Sequence, residues 1–137
     1  MSEDQTLDLD KLVSSRIERG VATVSLILEN KKLGDEEIIR LVEMEVLAEV
    51  THLELGENQI SDKGVSVLCN SPFTKNLKVL NLKSNKITEI GAQFIAQAKN
   101  LTQLENLILK FNRIGEQGAT YLAQSETLVN LTTLDLF

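Results

Sequence analysis

The chain has no tryptophan, one tyrosine, one histidine, one proline and one cysteine. A lone thiol, Cys69, forms no internal disulfide, so this is not a disulfide scaffold, and the chain suits a reducing compartment. With aromatics at 4%, the core has to be built from Leu, Ile, Val and Ala in thin layers. No apolar run approaches the ~18 residues a membrane-spanning helix needs. The opening MSEDQTLDLD is acidic and lacks the apolar stretch of a secretory signal, so the expectation is a cytoplasmic protein. The NLT triplets at Asn100 and Asn130 match a glycosylation acceptor but read as chance in a chain without an export signal. Metal-ligand clusters and phosphate-binding glycine loops are absent. GDEE at residues 34–37 has carboxylates but not the calcium-loop spacing, so neither cofactor nor metal is expected.

Hydrophobic residues at 42% and charged residues at 25% over 137 positions suit one soluble domain with a sizeable core. The formal charge of −6 is unevenly placed. Residues 1–50 hold 12 acidic and 6 basic side chains, whereas residues 51–137 hold 8 of each. That asymmetry argues against nucleic acid or an anionic membrane as partner.

One stretch occurs three times. Residues 50–64 read VTHLELGENQISDKG, residues 77–91 LKVLNLKSNKITEIG, and residues 104–118 LENLILKFNRIGEQG. Asn58, Asn85 and Asn112 are 27 positions apart, as are Gly64, Gly91 and Gly118. A period of this size means stacked supersecondary units. Full units are expected at 50–76, 77–103 and 104–130, each a short strand, a turn at the Asn and a helix opened by the Gly. Residues 23–49 form a degenerate unit with Lys31 at the Asn position, VSLIL (24–28) as strand and 34–49 as helix. A partial unit, LTTLDLF, spans 131–137. Residues 1–22 are read as an N-terminal cap: Leu9, Leu12, Val13 and Ile17 share a helical face, with Asp8 as N-cap and Gly20 as the stop. All of this forms one domain, 1–137.

The pattern LxxLxLxxNxI with a helix behind it resembles a leucine-rich repeat, and the period resembles the ribonuclease-inhibitor-like subfamily. The resemblance covers residues 23–137. It implies an α/β fold: a right-handed solenoid with parallel strands on the concave side and helices on the convex side. The residues agree independently. Alternation sends Leu53, Leu55, Leu80, Leu82, Leu107 and Leu109 inward. Asn58, Asn85 and Asn112 are expected to form a structural ladder, each amide satisfying backbone groups of the next unit's turn.

Outward strand positions form a grid. Ser25, His52, Val79, Asn106 and Thr133 make one column. Ile27, Glu54, Asn81, Ile108 and Asp135 make another. Glu29, Gly56, Lys83, Lys110 and Phe137 make a third. Repeat solenoids bind on such a face. The expected partner-binding residues are His52, Glu54, Val79, Asn81, Lys83, Asn106, Ile108, Lys110 and Phe111. On this reading Val79, Ile108 and Phe111 take an apolar anchor, and acidic groups of the partner face Lys83 and Lys110. The bland alternative is an ordinary surface with scattered apolar side chains.

His52 with Glu54 and Ser25 has the composition of a hydrolase triad, but an open sheet offers neither oxyanion hole nor pocket. Arg113, in a turn, invites comparison with leucine-rich-repeat proteins that act on small GTPases, although Lys86 and Gln59 hold the same position. Cys69 occupies an alanine position and reads as a small buried filler. Val67, Phe94 and Tyr121 form a column expected to pack between helices. The expected function is therefore a non-catalytic protein-interaction scaffold. The alternatives are the N-terminal or substrate-recognition part of a larger protein, such as a ubiquitin ligase or a bacterial effector acting in a host cytosol, and, less favoured, a GTPase activator or hydrolase. The strand at 131–137 has no following cap, so Leu131, Leu134, Leu136 and Phe137 are a candidate homodimer surface.

Overall fold

The computed structural model describes residues 8–137. The first seven residues of the acidic N-terminal stretch lie outside that range. Eleven elements follow in order among the described residues: α1 (Leu9–Ser15), β1 (Ile17–Arg19), β2 (Val24–Ile27), α2 (Asp35–Leu41), β3 (His52–Glu54), α3 (Asp62–Asn70), β4 (Val79–Asn81), α4 (Glu89–Ala96), β5 (Asn106–Ile108), α5 (Gly115–Ala123) and β6 (Thr133–Asp135). Three short 3-10 turns, Glu45–Glu49, Pro72–Thr74 and Lys99–Leu101, lead back to the next strand. The six strands form one sheet in sequence order, antiparallel only between β1 and β2.

The 27-residue register holds without a slip. Leu26, Leu53, Leu80, Leu107 and Leu134 are paired in one row across β2 to β6. The first four are fully buried, together with Leu28, Leu55, Leu82 and Leu109 and the turn residues Leu33, Ile60 and Ile87. Ile38, Leu41, Val65, Leu68, Ala92, Ile95 and Leu122 close the core from the helix side. Every helix therefore lies on one face of the sheet, and the other face is open.

The N-terminal segment differs from the expected single helix. Asp8 does cap α1, accepting from the Lys11 N–H at 3.1 Å, and Leu9 and Val13 are buried. The helix ends at Ser15 rather than at Gly20, and Ile17 enters β1. An extended segment pairs the outer edge of β2, which a helix cannot do, so β1 removes the row of unpaired backbone groups that a bare edge would present. The expected helix over 34–49 is also shorter. It stops at Leu41 and passes into the 3-10 turn Glu45–Glu49, which places the fully buried Leu47 beneath the sheet and steers the chain to β3.

The repeated glycines do not open the helices. Ser61 and Thr88 are the N-caps, and Gly64 and Gly91 lie inside the first turn. They are glycine because of what passes beside them. A Cβ on Gly64 would lie 2.5 Å from Asp35 Oδ1 and 2.8 Å from Ile60 Cγ2. On Gly91 it would lie 2.6 Å from both Asp62 Oδ1 and Ile87 Cγ2.

Those aspartates form a ladder that the repeat pattern did not single out. Asp35 Oδ1 accepts from the N–H groups of Ser61 (2.9 Å) and Gly64 (3.1 Å), and Oδ2 accepts from the Ser61 hydroxyl. Asp62 does the same with Thr88 N–H (2.8 Å), Gly91 N–H (3.0 Å) and Thr88 Oγ1 (2.6 Å). Each carboxylate on the first turn of one helix thus holds the N-terminus of the next, where unpaired N–H groups and the helix dipole favour negative charge. The ladder ends there. Glu89 and Gly115 occupy the next two positions, Gly115 has φ +67°, and α5 has no side-chain cap.

The asparagine ladder is present but runs the opposite way from expectation. Asn58 Oδ1 accepts from Lys31 and Leu33 N–H, both at 3.0 Å, and its Nδ2 donates to the carbonyls of Leu28, Leu55 and Gly56. Asn85 reaches back to Ile60 N–H and Leu55 O, and Asn112 to Asn85 N–H, Ile87 N–H and Leu82 O. Each amide satisfies its own turn and the preceding one. This accounts for Lys31: the first unit has a hairpin before it, not a repeat turn, so that position has nothing to bridge.

Candidate functional site

The open face of the sheet is the outward half of the strand alternation. Ser25, His52, Val79, Asn106 and Thr133 stand opposite one another across five strands, as do Ile27, Glu54, Asn81, Ile108 and Asp135. His52, Glu54, Val79, Asn81, Lys83, Asn106, Ile108 and Lys110 are all half-buried, flanked by neighbours across the strands. Val79 and Ile108 lie diagonally across β4 and β5. Glu18 joins the face from β1, opposite Ser25. A helical periodicity over residues 9–20 does not reveal this place, because Glu18 reaches the face only through β1.

Phe111 stands at the rim. It is 69% exposed and has φ 61°. Asn30, Glu57 and Ser84, at 27-residue intervals before it, share the left-handed conformation. That corner suits Asn, and a bulky side chain there is strained. The Lys110 ammonium sits 5.8 Å from the centre of the Phe111 ring, within range of a cation–π attraction.

Lys83 and Lys110, expected to face acidic groups of a partner, each have a carboxylate of the same chain beside them. Lys83 Nζ pairs with Glu29 at 3.3 Å, reaching across Gly56, where a Cβ would lie 3.0 Å from Lys83 Cγ. Lys110 Nζ lies 4.0 Å from Asp135. Both cations stay paired within the molecule because long stems in neighbouring rows reach the carboxylates one or two strands away. Asn81 is not a passive surface residue either, since its Oδ1 accepts from the Lys83 N–H at 3.1 Å.

The catalytic alternatives gain nothing from the geometry. His52 Nδ1 is 2.8 Å from Thr51 Oγ1, which is also bonded to the backbone of Val24, so the ring is held by a structural hydroxyl rather than by Ser25 or Glu54. Arg113 is exposed, and its N–H donates to Ile87 O at 2.8 Å. Lys86 and Gln59 make the same backbone bond one and two units earlier, so this is a recurrent turn position. Cys69 is buried, and desolvation pushes its thiol from 9.0 up to about 12, which keeps it protonated and unreactive. Val67 and Tyr121 pack partly against the core as expected, while Phe94 is 37% exposed and lines a shallow depression with Cys69 and Gln97. No group of three or more potential metal ligands occurs among the described residues.

Residues 50–69 and 75–96 match the family described as Leucine Rich repeat. The chain carries leucine-rich repeats. The matched segments are the two units in which both the asparagine and the aspartate ladders are intact at the helix start. No curated protein matches the chain. Leucine-rich repeats are generally a non-enzymatic interaction fold, and no catalytic family is indicated. No described helix is long and apolar enough to cross a membrane.

Proposed function

We propose that this leucine-rich-repeat chain is a protein-interaction module that docks a partner on the open face of its sheet and carries out no chemistry itself. The observation that carries the reading is Phe111. A large aromatic side chain is held exposed in a left-handed corner, where it adds nothing to the core, three residues beyond Ile108 on the rim of the open face. Strain and exposed apolar area at one spot are features of binding surfaces. On this reading His52, Glu54, Val79, Asn81, Asn106, Ile108 and Phe111 touch the partner, and Lys83 and Lys110 brace the face from within.

The stacking geometry supports a curved form. Neighbouring strands sit ~4.8 Å apart, whereas packed helices need ~8–10 Å. A stack with one helix behind each strand therefore bends, with the strands inside. A right-handed arc with a concave sheet, one domain over 1–137, and membership of the ribonuclease-inhibitor-like subfamily all belong to this proposal. So does action in the cytosol.

The test is affinity capture from lysate of the source cells, with the double change Val79→Glu/Ile108→Glu as control. We expect the captured partner to be lost from the double variant while its melting temperature stays near that of the parent chain. Capture that survives the double change would move the docking surface elsewhere.

A further inference from the structure

We infer that the partner presents a cationic side chain beside a large apolar one on a single polypeptide segment. This rests on the open face being the docking surface, and it reverses the charge sense that Lys83 and Lys110 suggest in the sequence. Across that face the charged side chains are Glu18, Glu29, Glu54, Lys83, Lys110 and Asp135, with His52 beside them. Four cancel in pairs: Lys83 with Glu29, and Lys110 with Asp135. Glu18 and Glu54 have no ion-pair partner among the described residues. The uncompensated charge of the surface is thus acidic, although its two lysines and two of its acidic groups come from the neutral half of the chain.

The positions are specific enough to give a spacing. Glu54, Asn81 and Ile108 are paired in one row across β3, β4 and β5. Glu54 and Ile108 are therefore two strands apart, roughly 10 Å at the usual inter-strand distance. In an extended segment, residues two or four positions apart point the same way and span roughly 7 to 13 Å, which brackets that gap. A lysine or arginine would pair with Glu54, with Glu18 adding to the field from β1. A leucine, phenylalanine or similar side chain would rest on Ile108 and its diagonal neighbour Val79. Asn81, between the two sites, would be left to bond the segment's backbone, its carbonyl oxygen being already used by Lys83 N–H.

The experiment is selection from a displayed random dodecapeptide library against the whole chain, followed by affinity measurement of the enriched peptides on the parent chain, Glu54→Lys, Glu18→Lys and Val79→Glu/Ile108→Glu. We expect enriched peptides to carry Lys or Arg two or four positions from a large apolar residue. Glu54→Lys should weaken them by about tenfold or more, and added salt should weaken them too. Because Glu54 makes no side-chain bond among the described residues, Glu54→Lys should melt close to the parent. Enrichment of acidic or uncharged peptides that the Val79→Glu/Ile108→Glu variant fails to bind would overturn the charge inference and leave the docking face standing. Peptides indifferent to that double variant would overturn the docking face itself. A selection that enriches nothing would overturn the segment as occupant, leaving a folded surface or a second copy of this chain.

Discussion

At the scale of single residues, two positions break the rule that each side chain serves the stack. Phe111 is the clearer one. Asn30, the equivalent residue three units earlier, is the side chain the left-handed corner favours. Phe111→Asn should therefore stabilise the chain by ~0.5–1 kcal/mol, read by urea unfolding, while weakening partner binding. No gain in stability would remove strain as an argument for function. Cys69 is the opposite case, a reactive group made inert. Burial favours the neutral thiol, so the folded chain holds its proton up to about 12, whereas the unfolded chain releases it above 9.0. Between those values the unfolded state binds fewer protons, and native stability falls as pH rises; below 9.0 the contribution is complete. Cys69→Ala, which copies Ala96 one unit later, should flatten that part of the stability profile. In the parent chain, labelling of the thiol should occur only at the rate of opening. Prompt labelling at neutral pH would contradict the burial.

At the scale of elements, the repeat period reveals which residues share a column, but it does not say what a column does. The asparagine column was legible because an amide at a buried turn needs partners. Its direction was not, since an amide can bridge either way and only coordinates distinguish preceding from following. The aspartate ladder went unread for a different reason. It is heterogeneous in sequence, with Asp35, Asp62 and Glu89 in one column and Gly34, Ser61, Thr88 and Gly115 in the other, so no identity repeats cleanly. The glycines are visible in the sequence but their role is not, because a helix-opening glycine and a close-packed one look alike in a string of letters. Both ladders can be weighed by substitution. Asn85→Ala leaves turn backbone groups of two units unpaired and should cost ~1–3 kcal/mol. Asn106→Ala on the open face, where the amide makes no bond among the described residues, should cost little. Asp62→Ala removes three bonds to a carboxylate and should cost at least as much as Asn85→Ala, roughly 1.5–3 kcal/mol. Equal melting of Asn85→Ala and Asn106→Ala would mean that water replaces the turn bonds at no loss.

At the scale of the whole molecule, the two ends of the sheet are treated differently. At one end β1 pairs the edge of β2, and α1 covers the core with Leu9 and Val13. At the other, β6 pairs only with β5, and no described residue pairs its far edge. Leu131, Leu134 and Leu136 are half-buried there, where the matching Leu104, Leu107 and Leu109 are fully buried, and Phe137 is 95% exposed. The aspartate ladder has also stopped before this end, with α5 uncapped. In a stack whose units touch only their neighbours, stability is a sum of unit and interface contributions, so in the 137-residue polypeptide opening starts at the unpaired edge of β6. Amide hydrogen exchange should therefore be fastest across 131–136, slower across β5, and slowest in β3 and β4, whose neighbours are complete on both sides. The gradient also tests the proposed pairing of two chains through Leu131, Leu134, Leu136 and Phe137. If that pairing forms, protection of 131–136 rises with protein concentration through the micromolar range, and Phe137→Ser abolishes the rise. A gradient that is steep and independent of concentration means that the end frays as a monomer. Uniform protection from β3 to β6 at every concentration would show that the units do not open one by one, and the additive picture of the stack would fail.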